Sequence, residues 1–396
     1  MMPALLPTYA RAPIAFSHGE GCWLVDTHGE RYLDFAAGIA VNVLGHAHPA
    51  LVRALTEQAQ RLWHVSNLYE IPAQRELAER LVDLTFADTV FFANSGTECC
   101  ELAVKMVRRH WFEQGDAQRR EIIAFEGAFH GRSAAAIAAA GSTKLTHGFA
   151  PLLPGFRQLP FADHEALRAA IGPQTAAVMV EPVQGEGGIR PLSEECLHGL
   201  REACDAHGVL LVLDEVQCGV GRTGSLFAHE RARIVPDIMM VAKGIGGGFP
   251  LGALLARERA SKCMTLGAHG STYGGNPLGC AVGKAVLDIV STPAFLAHVR
   301  EAGERARGLL QELVAAYPEV FAEVRGVGLM LGLRCAEGIS NAQVVAAAAK
   351  AGVLTVPAGE NVIRIVPPLT ISDAELAIGA ERLGTVAQRY QLEPVG

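Results

Sequence analysis

Two apolar runs near the middle of the chain constrain its fold more than any other feature. Val209–Leu213 and Ile238–Ala242 are each five residues long, rich in Val, Leu, Ile and Met, and bounded by turn signals. Such a run is typical of a strand that is buried on both faces. The first run ends at Asp214 and the second at Lys243. Because ligands bind at the carboxyl ends of strands in an open α/β sheet, we expect this acid and this amine to share a site.

The two side chains indicate a specific chemistry. Burial lowers the pKa of a lysine, and its neutral amine can then form a Schiff base with a carbonyl group. A carboxylate in the same site can keep a pyridinium nitrogen protonated through a charge-assisted hydrogen bond. These are the contributions that a protein makes to pyridoxal 5'-phosphate (PLP) chemistry. The alternative is that Asp214 caps a turn and Lys243 is solvated, although solvated lysines seldom lie between a buried strand and a glycine cluster.

The composition is that of a globular protein and argues against several classes of partner. The chain has 396 residues, of which 50% are hydrophobic and 19% charged, and its formal net charge is −7. This charge predicts no nucleic-acid or membrane-surface partner, and no apolar run approaches the roughly 20 residues that span a bilayer. We recognise no secretion signal, and the nine cysteines are scattered without CxxC spacing. These features predict a cytoplasmic protein with neither disulfides nor a metal site.

Strand-like and helix-like segments alternate through the centre of the chain. Thr89–Ala93, Ile122–Phe125 and Ala177–Val180 repeat the strand signal of the two central runs, and helical segments lie between most of them. This alternation predicts an α/β fold with a mostly parallel sheet and right-handed crossovers.

The two ends of the chain have a different pattern. A turn at Thr27–Gly29 predicts an N-terminal hairpin. Beyond residue 279 we predict an amphipathic helix over 294–316, strands at Val324–Leu333 and Val362–Val366, and a last helix that opens with a capping box at Ser372. The predicted organisation is an N-terminal segment (1–46) that joins a small domain, a PLP-binding large domain (47–280) and a C-terminal small domain of α+β type (281–396).

A candidate phosphate site lies in Ser95-Gly96-Thr97-Glu98, between a predicted strand and a predicted helix. Free backbone N–H groups and the positive end of the helix meet at such a turn and bind phosphate well. The same residues also fit a capping box, and the two interpretations are compatible. A GxGxxG match at Gly219–Gly224 is not expected to bind a dinucleotide, because no helix pattern follows it directly.

Five motifs occur in a fixed order along the chain. They are Asn94-Ser95-Gly96-Thr97-Glu98, Phe129-His130-Gly131-Arg132, Glu181-Pro182-Val183-Gln184-Gly185-Glu186-Gly187-Gly188, Asp214-Glu215-Val216-Gln217 and Ala242-Lys243-Gly244. Together they resemble the class III (ω-amino) aminotransferases, a branch of the fold-type I PLP enzymes, and most closely the acetylornithine aminotransferases. The resemblance covers essentially the whole chain. It implies the fold of the fold-type I PLP-dependent transferases, with a mostly parallel sheet in the large domain and a smaller α+β domain.

The resemblance also implies roles around the cofactor. Lys243 would be the Schiff-base lysine and the general base, Asp214 the partner of the pyridinium nitrogen, and Phe129 the residue stacked on the ring. Gln217 would contact the phenolic oxygen. Thr272 resembles a threonine that reaches the phosphate from the partner subunit, which implies a homodimer with shared active sites. The implied cofactor-binding residues are Gly96, Thr97, Phe129, Asp214, Glu215, Val216, Gln217, Lys243 and Thr272.

Substrate recognition is implied for five further residues. Arg132 resembles the carboxylate clamp of the family, since Arg suits bidentate binding, and Ser271 would assist it. Arg364 resembles the clamp for the α-carboxylate of 2-oxoglutarate. Glu186 resembles the switch glutamate that pairs with this arginine when an ω-amine donor is bound, so that no buried charge stays unpaired. Without the resemblance, Arg364 would be placed on the solvent side of an alternating strand. Tyr9 would also line the substrate end.

The choice of substrate depends on one departure. Ornithine aminotransferases tend to carry an aromatic residue where Ile39 stands, and an apolar residue suits an acylated α-amine better than a charged one. We therefore expect transfer of the δ-amino group of N2-acetyl-L-ornithine to 2-oxoglutarate, as in arginine biosynthesis. The alternatives are an ω-aminotransferase for succinylornithine, succinyldiaminopimelate, ornithine or 4-aminobutyrate, a PLP aminomutase on the same scaffold, and a catalytically inactive binding protein.

Overall fold

The computed structural model describes residues 4–392 and contains three larger sheets and a two-stranded ribbon. In chain order the strands are β1 (Phe16–Glu20), β2 (Trp23–Asp26), β3 (Arg31–Asp34), β4 (Thr89–Ala93), β5 (Glu121–Phe125), β6 (Phe156–Leu159), β7 (Thr175–Val180), β8 (Val183–Gln184), β9 (Arg190–Pro191), β10 (Leu210–Asp214), β11 (Ile238–Val241), β12 (Gly252–Ala256), β13 (Phe321–Val327), β14 (Met330–Cys335), β15 (Val353–Leu354), β16 (Val356–Ala358) and β17 (Val362–Ile365).

The helices connect and cover these strands. They are α1 (Ala37–Ala40), α2 (Pro49–Ala59), α3 (Pro72–Leu84), α4 (Gly96–Glu113), α5 (Ala134–Ala140), α6 (Thr143–Thr146), α7 (His164–Ala170), α8 (Glu194–His207), α9 (Glu258–Ser261), α10 (Pro277–Val290), α11 (Pro293–Ala316), α12 (Asn341–Lys350) and α13 (Asp373–Leu392), with 3-10 turns at Ala228–Ala232 and Lys243–Gly246. Within residues 4–392 no single helix is long and apolar enough to cross a membrane. The helices α10 and α11 meet that test only as a pair, which is bent by 72°.

The central sheet has seven strands in the order β4-β12-β11-β10-β7-β5-β6. Only β12 runs antiparallel to its neighbours, so the predicted mostly parallel sheet is confirmed. Every residue of β7, β10, β11 and β12 is buried. Leu210 and Val212 pack into the layer that contains α4, whereas Leu211 and Leu213 pack into the layer that contains α8. Helices on both faces therefore explain the unbroken apolar run of β10.

Two smaller antiparallel arrangements lie outside the central sheet. One is β1-β2-β3 with β15 added in parallel beside β3, so the N-terminal hairpin is confirmed and is joined by a strand from far along the chain. The other is β13-β14-β17-β16. One continuous apolar cluster links this second sheet to β11 and α10. The predicted domain boundaries are not tested by these contacts and stay a prediction.

One sequence-based interpretation changes in this region. The single strand predicted at Val324–Leu333 is wrong, because the chain turns back at Gly328 (φ +56°) and forms the hairpin of β13 and β14. Glycine reaches this left-handed conformation without steric cost. The glycine-rich loop Gly219–Gly224 is structural. Its Arg222 is fully buried and donates hydrogen bonds to the carbonyl groups of Leu329 and Pro367.

The close packing of α13 gives a test of this core. A Cβ atom on Gly379 would lie 2.0 Å from the ring of the buried Phe35. Gly379→Ala is expected to lower the stability by about 1–3 kcal/mol through overpacking. The matched control is Gly308→Ala in α11, where a Cβ meets open space and a gain of about 0.5–1 kcal/mol is expected. Thermal unfolding of the two variants measures both effects, and an unchanged melting temperature for Gly379→Ala would contradict this packing.

Candidate active site

The carboxyl ends of β10 and β11 lie next to each other in the central sheet. Asp214 is the last residue of β10, and Lys243 comes two residues after β11. Because the strands are parallel neighbours, both side chains reach one edge of the sheet. They line the same cavity of about 470 Å³. The structure thus brings together the acid and the amine that the sequence placed at two separate strand ends.

Lys243 has an unusual backbone conformation and an amine with a lowered pKa. Its φ angle is +49°, a left-handed conformation that non-glycine residues rarely adopt and that clusters at functional sites. Burial lowers the pKa of its amine to about 8, and the nearby charge of Arg364 acts in the same direction. The carboxylates of Glu186 and Asp214 oppose this shift. Near neutral pH the neutral, nucleophilic form of this amine is therefore much more populated than that of an ordinary lysine.

Asp214 is held by two hydrogen bonds. Its Oδ1 accepts the N–H of Val216 at 3.0 Å, and its Oδ2 lies 2.7 Å from Nδ1 of His130. Both Asp214 and His130 are buried. His130 belongs to one of the five sequence motifs, but the sequence predicts no role for it, because nothing in the local pattern indicates a contact with a residue 84 positions away.

The turn before α4 forms the other end of the cavity. The Ser95 hydroxyl accepts the N–H of Glu98 at 3.4 Å, and the Glu98 carboxylate accepts the N–H of Asn94 at 2.9 Å. The predicted capping box is thus present, except that the Glu98 carboxylate accepts the N–H of Asn94 instead of the N–H of Ser95. Gly96 and Thr97, the first two residues of this 18-residue helix, line the cavity, and a phosphate is favoured at a helix N-terminus.

Glycine residues allow three segments to meet at this point. A Cβ on Gly96 would lie 2.8 Å from the Val216 side chain. Gly131 has a φ of +123°, and a Cβ there would lie 2.3 Å from Oγ1 of Thr97. The same Oγ1 accepts the N–H groups of Arg132 and Ser133, each at 3.2 Å. The three segments could not approach each other this closely if larger residues replaced Gly96 and Gly131.

The residues fit PLP. Phe129 and Val216 line the cavity and offer apolar surfaces for a flat ring, and Gln217 lines it as well. A buried carboxylate, an amine of lowered pKa, a helix N-terminus and an aromatic face are the groups that this cofactor needs.

Arg364 lies at the substrate end of the site and is 1% exposed. Its Nη1 is 2.5 Å from Oε1 of Glu186 and 3.3 Å from Oε1 of Gln217, and its Nη2 donates to the carbonyl of Pro357. The alternative that Arg364 faces solvent is therefore wrong. Every residue of β17 is buried, so an alternating pattern did not identify an exposed face.

Arg132 and Ser271 lie nearer the surface. The guanidinium of Arg132 is 5.7 Å from the centre of the Phe129 ring. Arg132 and Phe129 line both the main cavity and an adjoining one of about 650 Å³. The Ser271 hydroxyl accepts a hydrogen bond from the side-chain amide of Asn94 at 3.4 Å, and Asn94 lines the main cavity.

Ser271 and Arg364 do not line the main cavity but contact residues that do, and Glu186 lines the adjoining cavity. Three other predicted residues lie apart from the main cavity. The Glu215 carboxylate turns away and accepts hydrogen bonds from the backbone of Ala228 and from the ring of His229, because consecutive residues at a strand end point to opposite sides. Tyr9 lies on the surface beside Arg11. Thr272 is exposed. As a correction to the expected set, the side chain of Glu215 is structural in this subunit.

Comparison with known proteins identifies the family. The model of the class III aminotransferases matches residues 7–386. The acetylornithine aminotransferase of Rhodobacter capsulatus is 59% identical over the full length of both chains. Among solved structures, N-acetylornithine aminotransferase from Stenotrophomonas maltophilia is 40% identical over 97% of this chain and 98% of its own, with a TM-score of 0.86. Ornithine aminotransferase from Toxoplasma gondii is 30% identical over 98% and 93%, with a TM-score of 0.94.

This chain belongs to the class III aminotransferases, and the expected fold type I is confirmed. It is a PLP-dependent transaminase, as the resemblance implied.

The lowered pKa of Lys243 leads to a test in protein freed of PLP. Since only the neutral amine reacts, the rate of PLP attachment to Lys243, trapped by borohydride and located by peptide mapping, is expected to rise with pH with a midpoint near 8. Glu186→Gln removes a negative charge that raises this pKa, so the midpoint is expected at lower pH. Glu360→Gln, which removes a carboxylate paired with Arg190 and Arg325, serves as the control. A midpoint near the ordinary lysine value of about 10.4 would refute the assignment.

Proposed function

We propose that this chain is an acetylornithine aminotransferase. It transfers the δ-amino group of N2-acetyl-L-ornithine to 2-oxoglutarate, and the products are N-acetyl-L-glutamate 5-semialdehyde and L-glutamate, as in arginine biosynthesis. The observation that carries this proposal is the ion pair of Glu186 and Arg364 beside Lys243. The identity to relatives of that name supports it. We place the enzyme in the cytoplasm, because nine buried, unpaired cysteines favour a reducing compartment.

Different residues of the chain would bind the ring nitrogen, the ring faces and the phosphate of the cofactor. When bound, PLP would supply an electron sink for the bond that breaks at the reacting carbon of the substrate. Asp214 would hold the ring nitrogen through a charge-assisted hydrogen bond, and Phe129 and Val216 would pack against the ring. The N-terminus of α4 at Gly96 and Thr97 would bind the phosphate.

Lys243 carries the proton. Its Nζ removes the proton from the reacting carbon and delivers it elsewhere in the same site, as a general base and then a general acid. Proton transfer of this kind is fastest when the pKa of the group lies near the working pH. Burial and the charge of Arg364 bring the amine into that range.

The pair of Glu186 and Arg364 serves two different substrates in turn. The Arg364 side chain is 2% exposed and fixed, whereas the Glu186 side chain is 35% exposed and can move into water. A donor that presents a terminal amine brings no carboxylate to this end, so Glu186 stays on Arg364. The α-carboxylate of 2-oxoglutarate replaces Glu186, and the buried arginine is paired in both half-reactions.

Arg132 holds the other end of either substrate. It lies between the main cavity and the adjoining one, where the acylated half of the donor has room, and its guanidinium can bind a carboxylate with two hydrogen bonds. Ile39, which favoured an acylated donor in the sequence, does not line the cavity of this subunit. The preference for acetylornithine is therefore supported mainly by the relatives.

A screen of half-reactions tests the proposed substrates. We expect the PLP-loaded enzyme to react fastest with acetylornithine when compared with succinylornithine, ornithine, acetyllysine and 4-aminobutyrate, as followed by the absorbance of the cofactor. A clear preference for 4-aminobutyrate would refute the proposal. Arg364→Met is expected to lower kcat/KM for 2-oxoglutarate by roughly a hundredfold or more, because a buried charge pair is lost, and to affect the donor half-reaction much less. Equal losses in both half-reactions would contradict the assigned role of Arg364.

The proposed enzyme is a homodimer. The segment that contains Trp63 and Leu68 lies beside the loop at Thr272, since the Asn67 side chain donates to the carbonyl groups of Ser271 and Gly274. Leu68 is 87% exposed, and the other large apolar side chains on this surface are Trp63, Tyr69 and Tyr273. A surface of this kind is rarely left open to water. A second copy covers it, and Thr272 then reaches the phosphate site of the partner.

The dimer can be tested by adding charge to this surface. Leu68→Glu combined with Tyr273→Glu is expected to convert the protein to monomers and to weaken PLP binding, because each phosphate site loses Thr272 of the partner subunit. Sedimentation velocity and PLP titration measure the two effects. Val235→Glu, at an exposed apolar residue of the loop before β11, is the control and is expected to stay dimeric. A wild-type protein that sediments as a monomer at micromolar concentration would exclude the proposed assembly.

A further inference from the structure

Two buried ionisable side chains beside Asp214 have no role in the mechanism proposed above. They are His130, which is 2% exposed, and Glu181, which is 4% exposed. Glu181 directly follows β7, and His130 lies in the loop after β5. Since β10, β7 and β5 are consecutive in the sheet, these two residues and Asp214 meet at one edge. All three line the main cavity.

His130 is bound to Asp214 on one side. Its Nδ1 lies 2.7 Å from Oδ2 of Asp214, whereas its Nε2 is buried and has no hydrogen-bond partner within residues 4–392. Together with the N–H of Val216 on Oδ1, this bond fixes the plane of the carboxylate. A carboxylate that is fixed in this way needs no reorganisation when it receives a ligand.

Glu181 is held in place by the backbone on both sides of the site. Its carboxylate accepts the N–H of Phe129 at 2.8 Å and the N–H of Gly185 at 3.3 Å. Phe129 directly precedes His130, so the same bond also fixes the loop that carries the imidazole.

Burial and the neighbouring carboxylates have opposite effects on the pKa of His130. Burial by itself would lower the pKa of His130, but the hydrogen bond to Asp214 and the charges of Asp214 and Glu181 outweigh it and raise the pKa. Burial raises the pKa of Glu181, and the charge of His130 opposes that shift. The two enclosed carboxylates therefore stabilise the cationic form of the His130 imidazole.

We propose that His130 and Glu181 are positioning residues for Asp214: His130 aims the carboxylate at the ring nitrogen of PLP, and Glu181 fixes and electrostatically supports His130. The three residues then act as one unit at the ends of three neighbouring strands. Asp214 contacts the cofactor, whereas His130 and Glu181 orient Asp214 without contacting the cofactor. This inference rests on the proposed role of Asp214.

The first test measures PLP binding to variants freed of cofactor, by fluorescence titration. His130→Ala is expected to raise the dissociation constant roughly 10- to 100-fold, the effect of losing a hydrogen bond to a charged group. His130→Asn keeps an N–H donor near the position of Nδ1 and is expected to recover most of that loss. His110→Asn, at a buried histidine outside this site, is the control and is expected to bind PLP normally. Thermal unfolding of the same variants without PLP separates a loss of folding from a loss of positioning.

The second test is spectroscopic. In the PLP-loaded enzyme, Glu181→Gln removes a negative charge that raises the pKa of nearby cationic groups. We therefore expect the absorbance change of the bound cofactor with pH to move to lower pH, whereas His110→Asn leaves it unchanged. An unshifted titration in Glu181→Gln would overturn the role of Glu181.

The outcomes distinguish this inference from the assignment on which it rests. If Asp214→Asn weakens PLP binding but His130→Ala binds within threefold of the wild type, the role of His130 is overturned and that of Asp214 stands. A failure of His130→Asn to bind better than His130→Ala has the same meaning. If Asp214→Asn binds PLP normally, the role of Asp214 itself is refuted, whatever His130 does.

Discussion

The parallel pairing of β10 with β11 is the constraint on which the rest of the site depends. Both strands are fully buried, with helices packed on either face. Their polar residues can therefore appear only where the strands end, and the parallel direction brings those ends to one edge. Asp214 and Lys243 meet there without any local sequence signal between them. The surrounding loops add the phosphate turn, the ring contacts and the substrate clamp to this rigid pair.

The second organising feature is the balance of buried charge. An unpaired ion in a protein interior costs several kcal/mol, yet this site encloses the cations of Lys243 and Arg364 with the carboxylates of Asp214, Glu181 and Glu186 close by. Burial and the charge of Arg364 lower the pKa of the lysine, the three carboxylates oppose that shift, and the arginine keeps a partner. The most exposed of these carboxylates, Glu186, is also the one that the proposed mechanism requires to move. The difference in exposure thus matches the difference in role.

Much of the fold could be predicted from the sequence because its signals are local. The five predicted strands of the central sheet agree with the structure to within one or two residues at each end. The sequence analysis does not predict the other two strands of this sheet, β12 and β6. The five residues of β12 are not distinguished from other short apolar runs, and β6 has the polar residues Arg157 and Gln158 at its centre. The sequence pattern predicts one strand where the structure has the hairpin of β13 and β14, because a single glycine reversal within an apolar stretch resembles an ordinary strand interruption. The order of the strands was not predicted, since no local pattern encodes it.

The sequence by itself determined the family, the strand ends that carry Asp214 and Lys243, and the glycine turn before α4. These features depend on residues that are close together in the chain. Only the tertiary structure decided that His130 contacts Asp214, that Glu215 faces away from the cavity, and that Arg364 is buried against a glutamate 178 positions earlier. Such contacts are set by which strands become neighbours and by how helices cover them. Hydrophobic periodicity specifies which residues are buried but not which distant residues they meet.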